Sequence, residues 1–212
     1  MGAISDLIRK EKGHWASVKL LESYVEKCAF LLTALESDSH RAEVRPESCF
    51  ELWSKLGDLR HGIWSDLTPF ELTDLASKTK ELILRTNELL ASKRKESLVC
   101  LESGMLKALK KAEKSKKEVE HFLNKGEIGG TLTSAEVNAG ILYWRDQMGF
   151  VSLLLEEQNL EISPNVKGKL ERLDTELKTI LLETLKAFRK VNDDPTPYPE
   201  RFPPSFWWRR IS

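Results

Sequence analysis

The feature that most constrains the fold is a stretch without proline that runs from Pro69 to Pro164. Thr68-Pro69-Phe70-Glu71 is a capping box with proline at the first helical position, so it predicts the start of a helix. Apolar residues then recur at intervals of three and four until Gly126, which supplies a stop signal. The pattern predicts one helix of about 57 residues, roughly 85 Å long. The alternative is a break in "LLASKRKESL", where "SKRKES" contains no apolar residue.

Four other segments predict helices by the same periodicity and by their start signals. The first covers residues 4–36, and a shorter one starts at Pro46 and carries its apolar face through residues 50–59. A second capping box, Thr133-Ser134-Ala135-Glu136, opens a helix that extends to about residue 160, and Ser163-Pro164 opens the last one, which ends near residue 191. No segment alternates as a strand does, so the sequence predicts an all-α fold.

The predicted helix lengths indicate how the helices are arranged, because helices that pack side by side usually match in length. Residues 98–125, 134–160 and 164–191 are similar in length and predict an antiparallel three-helix bundle. Residues 69–97 match the first helix, and the short helix can cover that pair. We therefore expect an elongated antiparallel bundle of about five helices that share one long central helix. The predicted parts are an N-terminal lobe (1–97), a C-terminal bundle (98–192) and an extended tail (193–212).

Charge and cysteine content limit the classes of function and the compartment. Lysine plus arginine and aspartate plus glutamate each total 33, so no whole-chain field favours nucleic acid. No apolar run approaches the roughly 20 residues that cross a bilayer, and the acidic N-terminus predicts no cleaved leader. The three cysteines, Cys28, Cys49 and Cys100, are odd in number and lack CxxC spacing. This favours the cytoplasm or another reducing compartment.

The C-terminal stretch "YPERFPPSFWWRRIS" has no helical or strand periodicity. Its prolines restrict the unbound chain, and its aromatic and arginine side chains are those of binding hot spots. The residues predicted to bind another protein are Tyr198, Phe202, Phe206, Trp207, Trp208, Arg209 and Arg210. Two alternatives are that this tail folds back on its own bundle or lies at a lipid interface.

Two charged patterns in the sequence are candidate sites. Five lysines at helical spacing form a basic face, which could meet phosphates, anionic lipid or an acidic partner, or simply be solvated: Lys107, Lys110, Lys111, Lys114 and Lys117. Two Glu-x-x-His pairs, Glu11 with His14 and Glu118 with His121, have the spacing of di-metal carboxylate bundles. They lie off the apolar stripes or at a helix start, and no further inward glutamate accompanies them, so we predict no metal site, no cofactor and no catalytic residue.

These patterns favour a non-enzymatic helical adaptor, assembly factor or structural subunit of a larger complex that docks through its aromatic tail. The expected partner is another protein or a multisubunit complex, with no specific nucleic acid, and the long apolar stripes would also suit self-association. The alternatives are a di-metal carboxylate protein and a peripheral membrane scaffold that uses the lysine face.

Overall fold

The computed structural model of the chain describes residues 2–37, 46–62, 67, 69–127, 132–190 and 202–210. Within these ranges the chain forms six α-helices and no β-strand, which confirms the predicted all-α class. The helices are α1 (Gly2–Glu36), α2 (Pro46–His61), α3 (Pro69–Lys125), α4 (Ser134–Val137), α5 (Tyr143–Glu157) and α6 (Pro164–Arg189).

The long helix α3 is continuous over 57 residues, and the alternative break within "LLASKRKESL" does not occur. Lysine, arginine and glutamate are good helix formers, so the polar stretch continues the helix although it has no apolar side chain. Gly126 ends the helix in the left-handed region, with φ of +70°. The Glu127 N–H then donates to the Phe122 carbonyl at 3.1 Å, as in a Schellman motif.

The second capping box forms as predicted, whereas the side chains of the first, Thr68 and Glu71, lie outside the described residues. The Thr133 N–H donates to Glu136 Oε2 at 2.8 Å, and the Glu136 N–H donates to Thr133 Oγ1 at 3.3 Å. The helix it opens is not uniform, however, because Asn138–Leu142 form a π-helical turn between α4 and α5. Nothing in the sequence pattern predicted this turn.

The second half of α3 forms an up-down-up bundle with α5 and α6. Helix α5 runs antiparallel to α3, with Gly140 beside Ser115 and Lys111 over the Trp144 ring. Helix α6 then returns in the direction of α3, and the Ser163 N–H donates to Glu102 Oε1 at 2.6 Å near its start. The matched helix lengths therefore predicted these neighbours.

Helix α2 packs on more of the molecule than expected. The prediction placed it on α1 and the first half of α3, but it also crosses the second half of α3 and α5 closely, at two glycines. A Cβ on Gly104 would lie 2.3 Å from the Pro46 carbonyl oxygen, and one on Gly57 would lie 2.4 Å from that of Phe150. One apolar core thus includes side chains of α1, α2, α3, α5 and α6. That residues 1–97 and 98–192 are separate parts of the fold stays a prediction.

A disulfide joins Cys49 of α2 to Cys100 of α3, with Cα atoms 6.1 Å apart and a sequence separation of 51 residues. Cys28 is free and buried, and burial raises the pKa of its thiol to about 12. A disulfide does not favour a reducing compartment, so the argument from the odd cysteine count fails. The odd cysteine is a core thiol. Among the helices described, none has the length and apolarity needed to cross a membrane.

Candidate functional site at the C-terminal hook and the lysine face

Residues 202–210, here called the hook, fold into a compact turn that ends in a 3₁₀ turn at Trp207–Arg209. The hook is closed by its own hydrogen bonds. The Phe206 N–H donates to the Pro203 carbonyl at 2.9 Å. The Arg210 guanidinium donates to the carbonyls of Phe202 and Pro203 at 2.6 and 2.8 Å.

The aromatic rings of the hook pack on α5. Phe206 lies with its ring centroid 4.9 Å from Phe150 and 4.5 Å from Trp208, and it is 1% exposed. Gly149 makes room for these rings, because a Cβ there would lie 2.6 Å from Phe206 Cζ. A residue without a side chain on α5 therefore creates the depression that the hook fills.

A buried carboxylate anchors the polar side of the hook. Asp146 accepts a hydrogen bond from Trp208 Nε1 at 2.8 Å and others from the Arg209 guanidinium, including one from Nε at 3.1 Å. Arg209 also donates to Asn138 Oδ1 of the π-helical turn at 2.6 Å. Burial raises the pKa of the Asp146 carboxyl, and the hydrogen bonds from Arg209 and Trp208 oppose that rise.

Arg145 of α5 also contacts the hook. Its guanidinium lies 3.7 Å from the centre of the Trp208 ring, which is the geometry of a cation–π contact. Two hydrogen bonds to Asp174 of α6, at 2.6 and 2.8 Å, hold it there. The α5 surface that receives the hook is thus linked to α6 by an ion pair that does not involve the hook.

These contacts concern the tail that was predicted to bind another protein, and that binding role stays a prediction. The structure shows the fold-back alternative for residues 202–210: Phe202, Phe206, Trp208 and Arg209 are buried on the chain's own helices. Trp207 is half-buried and Arg210 is exposed, while Tyr198 lies outside the described residues. In this conformation the four buried side chains cannot contact a partner.

Sequence reasoning missed the residues that receive the hook, Asp146 and Asn138. The burial of α5 from Arg145 to Val151 would have pointed to them, since a buried acid needs a cation, but that burial is known only from the structure. The sequence did not indicate which of the many basic residues would supply it.

The five predicted lysines of the basic face lie at exposed positions on α3. Lys107 pairs with Glu47 of α2 at 2.8 Å, and Lys114 pairs with Glu118 at 3.7 Å. Lys111 lies over the Trp144 ring, 4.4 Å from its centre. No ion pair engages Lys110 or Lys117 with any residue that the structure describes. The face therefore keeps unneutralised positive charge.

A cavity of about 250 Å³, here called the notch, lies beside the lysine face between α2, α3 and α5. Its lining includes Phe50, Lys107, Lys111, Tyr143 and Trp144, and also the acidic Glu47 and Glu51. Tyr143 is 41% exposed and meets Trp144 edge to face at 5.1 Å. Aromatic and basic side chains thus share one concave surface.

Of the two Glu-x-x-His pairs, the structure describes the side chains of Glu118 and His121. Glu118 pairs with Lys114, and the exposed His121 packs edge to face on Phe122. The side chains of Glu11 and His14 lie outside the described residues. Within the described part of the chain, no group of three or more potential metal ligands occurs.

The fold and these surfaces define an all-α bundle protein with an internally docked C-terminal hook. A scan against protein-family models, a search of curated proteins and a search of solved structures each found no match to the chain.

Proposed function

We propose that the chain is a non-enzymatic helical adaptor or structural subunit of a larger complex, and that it binds an acidic segment of a partner at the notch. The observation that carries the proposal is the exposed Tyr143 beside the lysine face. Large aromatic side chains at a concave surface are typical anchors of protein interfaces. Lys110 and Lys117, which have no ion pair among the described residues, would add positive charge beside the notch and steer an acidic segment towards it.

The buried charges support a structural rather than a catalytic role for the interior. Asp146 is paired with Arg209, and Arg145 is paired with Asp174. Such pairs are strongly destabilising when one partner is lost, so they belong to the fold. The surface that remains for a partner is on the helices.

Affinity capture with full-length baits tests the proposal. The test bait carries Tyr143→Ala and Lys111→Ala, and the control bait carries Leu84→Ala and Lys78→Ala. The control removes a 55% exposed apolar side chain and an exposed lysine from α3 at a distance from the notch. We expect a set of proteins captured by the wild type and the control to be lost from the test bait.

The same capture should weaken as salt is raised, because exposed charges are screened over about 10 Å at 0.1 M salt. Identical captured sets from all three baits would remove the notch as the docking surface. Loss of the set from the control bait alone would place the partner elsewhere on α3.

A further inference from the structure

We infer that the groove beneath the hook is a peptide-binding site, and that its ligand in trans is the hook of a second copy of the chain. The groove is formed by Asn138, Arg145, Asp146, Gly149 and Phe150. Its ligand class is a short segment that presents stacked aromatic rings followed by tryptophan and arginine.

The hook is attached to the helices through side chains. Trp208 and Arg209 make the hydrogen bonds to α5 and to the π-helical turn. Among the described residues, no backbone hydrogen bond joins 203–210 to a helix. Residues 203–210 can therefore leave without breaking the backbone hydrogen bonds of the bundle.

The shape of the hook is held by hydrogen bonds within the hook itself. Its turn is closed by the Phe206 N–H and by both hydrogen bonds from Arg210, and all of these acceptors belong to the hook itself. Phe202, Phe206 and Trp208 stack in succession within the same nine residues. A preorganised ligand loses less conformational entropy on binding, which favours recognition in trans.

The groove keeps its supports when the hook is absent. The Arg145–Asp174 pair joins α5 to α6, and Lys116 pairs with Glu176 to join α3 to α6. Close contact of Gly57 with the Phe150 backbone holds α5 against α2 from the other side. None of these contacts involves the hook.

Within one chain the hook competes with any added copy at an effective concentration in the millimolar range. Exchange between wild-type copies is therefore rare at ordinary concentrations. Binding of a hook to the groove of another copy becomes measurable when one chain carries a hook that no longer binds and the other carries a groove that no longer binds. Two full-length variants then offer one intact hook and one vacant groove.

The first variant, Trp208→Ala with Arg209→Ala, removes the hook's anchors and keeps the groove. The second, Asp146→Asn with Gly149→Ala, damages the groove and keeps the hook. The second variant is labelled with a fluorophore and titrated with the first, while anisotropy is recorded. The control titrant carries all four substitutions, so any other association surface contributes equally to both titrations.

We expect saturable binding of the labelled chain to the first variant, and binding to the control that is weaker by at least about thirtyfold, because a desolvated charge pair is lost. Equal titrations, or no binding to either titrant, would overturn the inference. Loss of the helical circular dichroism signal in either variant would also overturn it, since the hook would then be an integral part of the core.

Discussion

Removal of the Cys49–Cys100 disulfide should produce a large and calculable loss of stability. The bond closes a loop with a sequence separation of 51 residues. In the chain-entropy model a loop of this length restricts the unfolded chain by about 4 kcal/mol at 25 °C. The double variant Cys49→Ala with Cys100→Ala should therefore unfold with a urea midpoint lower by about 1.3–2 M. Its melting temperature should fall by roughly 8–16 °C.

The assay is urea unfolding followed by circular dichroism, with a thiol count on the unfolded, unreduced wild type. One reactive thiol per chain is expected, from Cys28, and none should react in the native state because that thiol is buried with a pKa of about 12. Reduced wild type serves as the matched control and should resemble the double variant. Three reactive thiols in the unfolded wild type, or an unchanged midpoint after reduction, would refute the reasoning.

Three further predictions concern stability. Gly57→Ala should destabilise the fold by about 1–3 kcal/mol, because the new Cβ would clash with the α5 backbone. The control Gly168→Ala should stabilise the fold, because a Cβ there meets nothing within 4 Å. Equal urea midpoints for the two variants would contradict this prediction. The free energy of unfolding should fall by the same amount, at most about 3–5 kcal/mol, in Asp146→Asn, in Arg209→Ala and in the double variant. The losses are equal because release of the hook exposes whichever charge remains to water. Additive losses in a double-mutant cycle would argue against release. Burial lowers the pKa of His61 below 6.5 in the folded chain, so the neutral side chain contributes its full share to the free energy of unfolding above pH 6.5. That share is lost as the pH falls from 6.5 towards the folded pKa. Urea midpoints should therefore decrease over that pH range, and His61→Gln should make them depend less on pH.

The sequence alone determined the elements that depend on neighbouring residues. The capping boxes and the three-four spacing predicted the starts of α3 and α4 and the end of α3 at Gly126, since backbone hydrogen bonds and helix propensity are local. The break within "LLASKRKESL" stayed open as an alternative until the structure showed a continuous helix. Matched lengths also indicated that α3, α5 and α6 are neighbours, because helices that pack along one another bury most apolar surface when their lengths agree.

Only the tertiary structure decided which distant groups meet. Cysteine spacing does not reveal that Cys49 pairs with Cys100, because the pairing depends on how α2 lies against α3. The aromatic tail could bind a partner or its own bundle by the same chemistry, and the choice depends on the depression at Gly149 and the buried carboxylate of Asp146. Whether a side chain is buried or paired depends on the distant residues that folding brings next to it, and the spacing of residues along the sequence does not identify those residues.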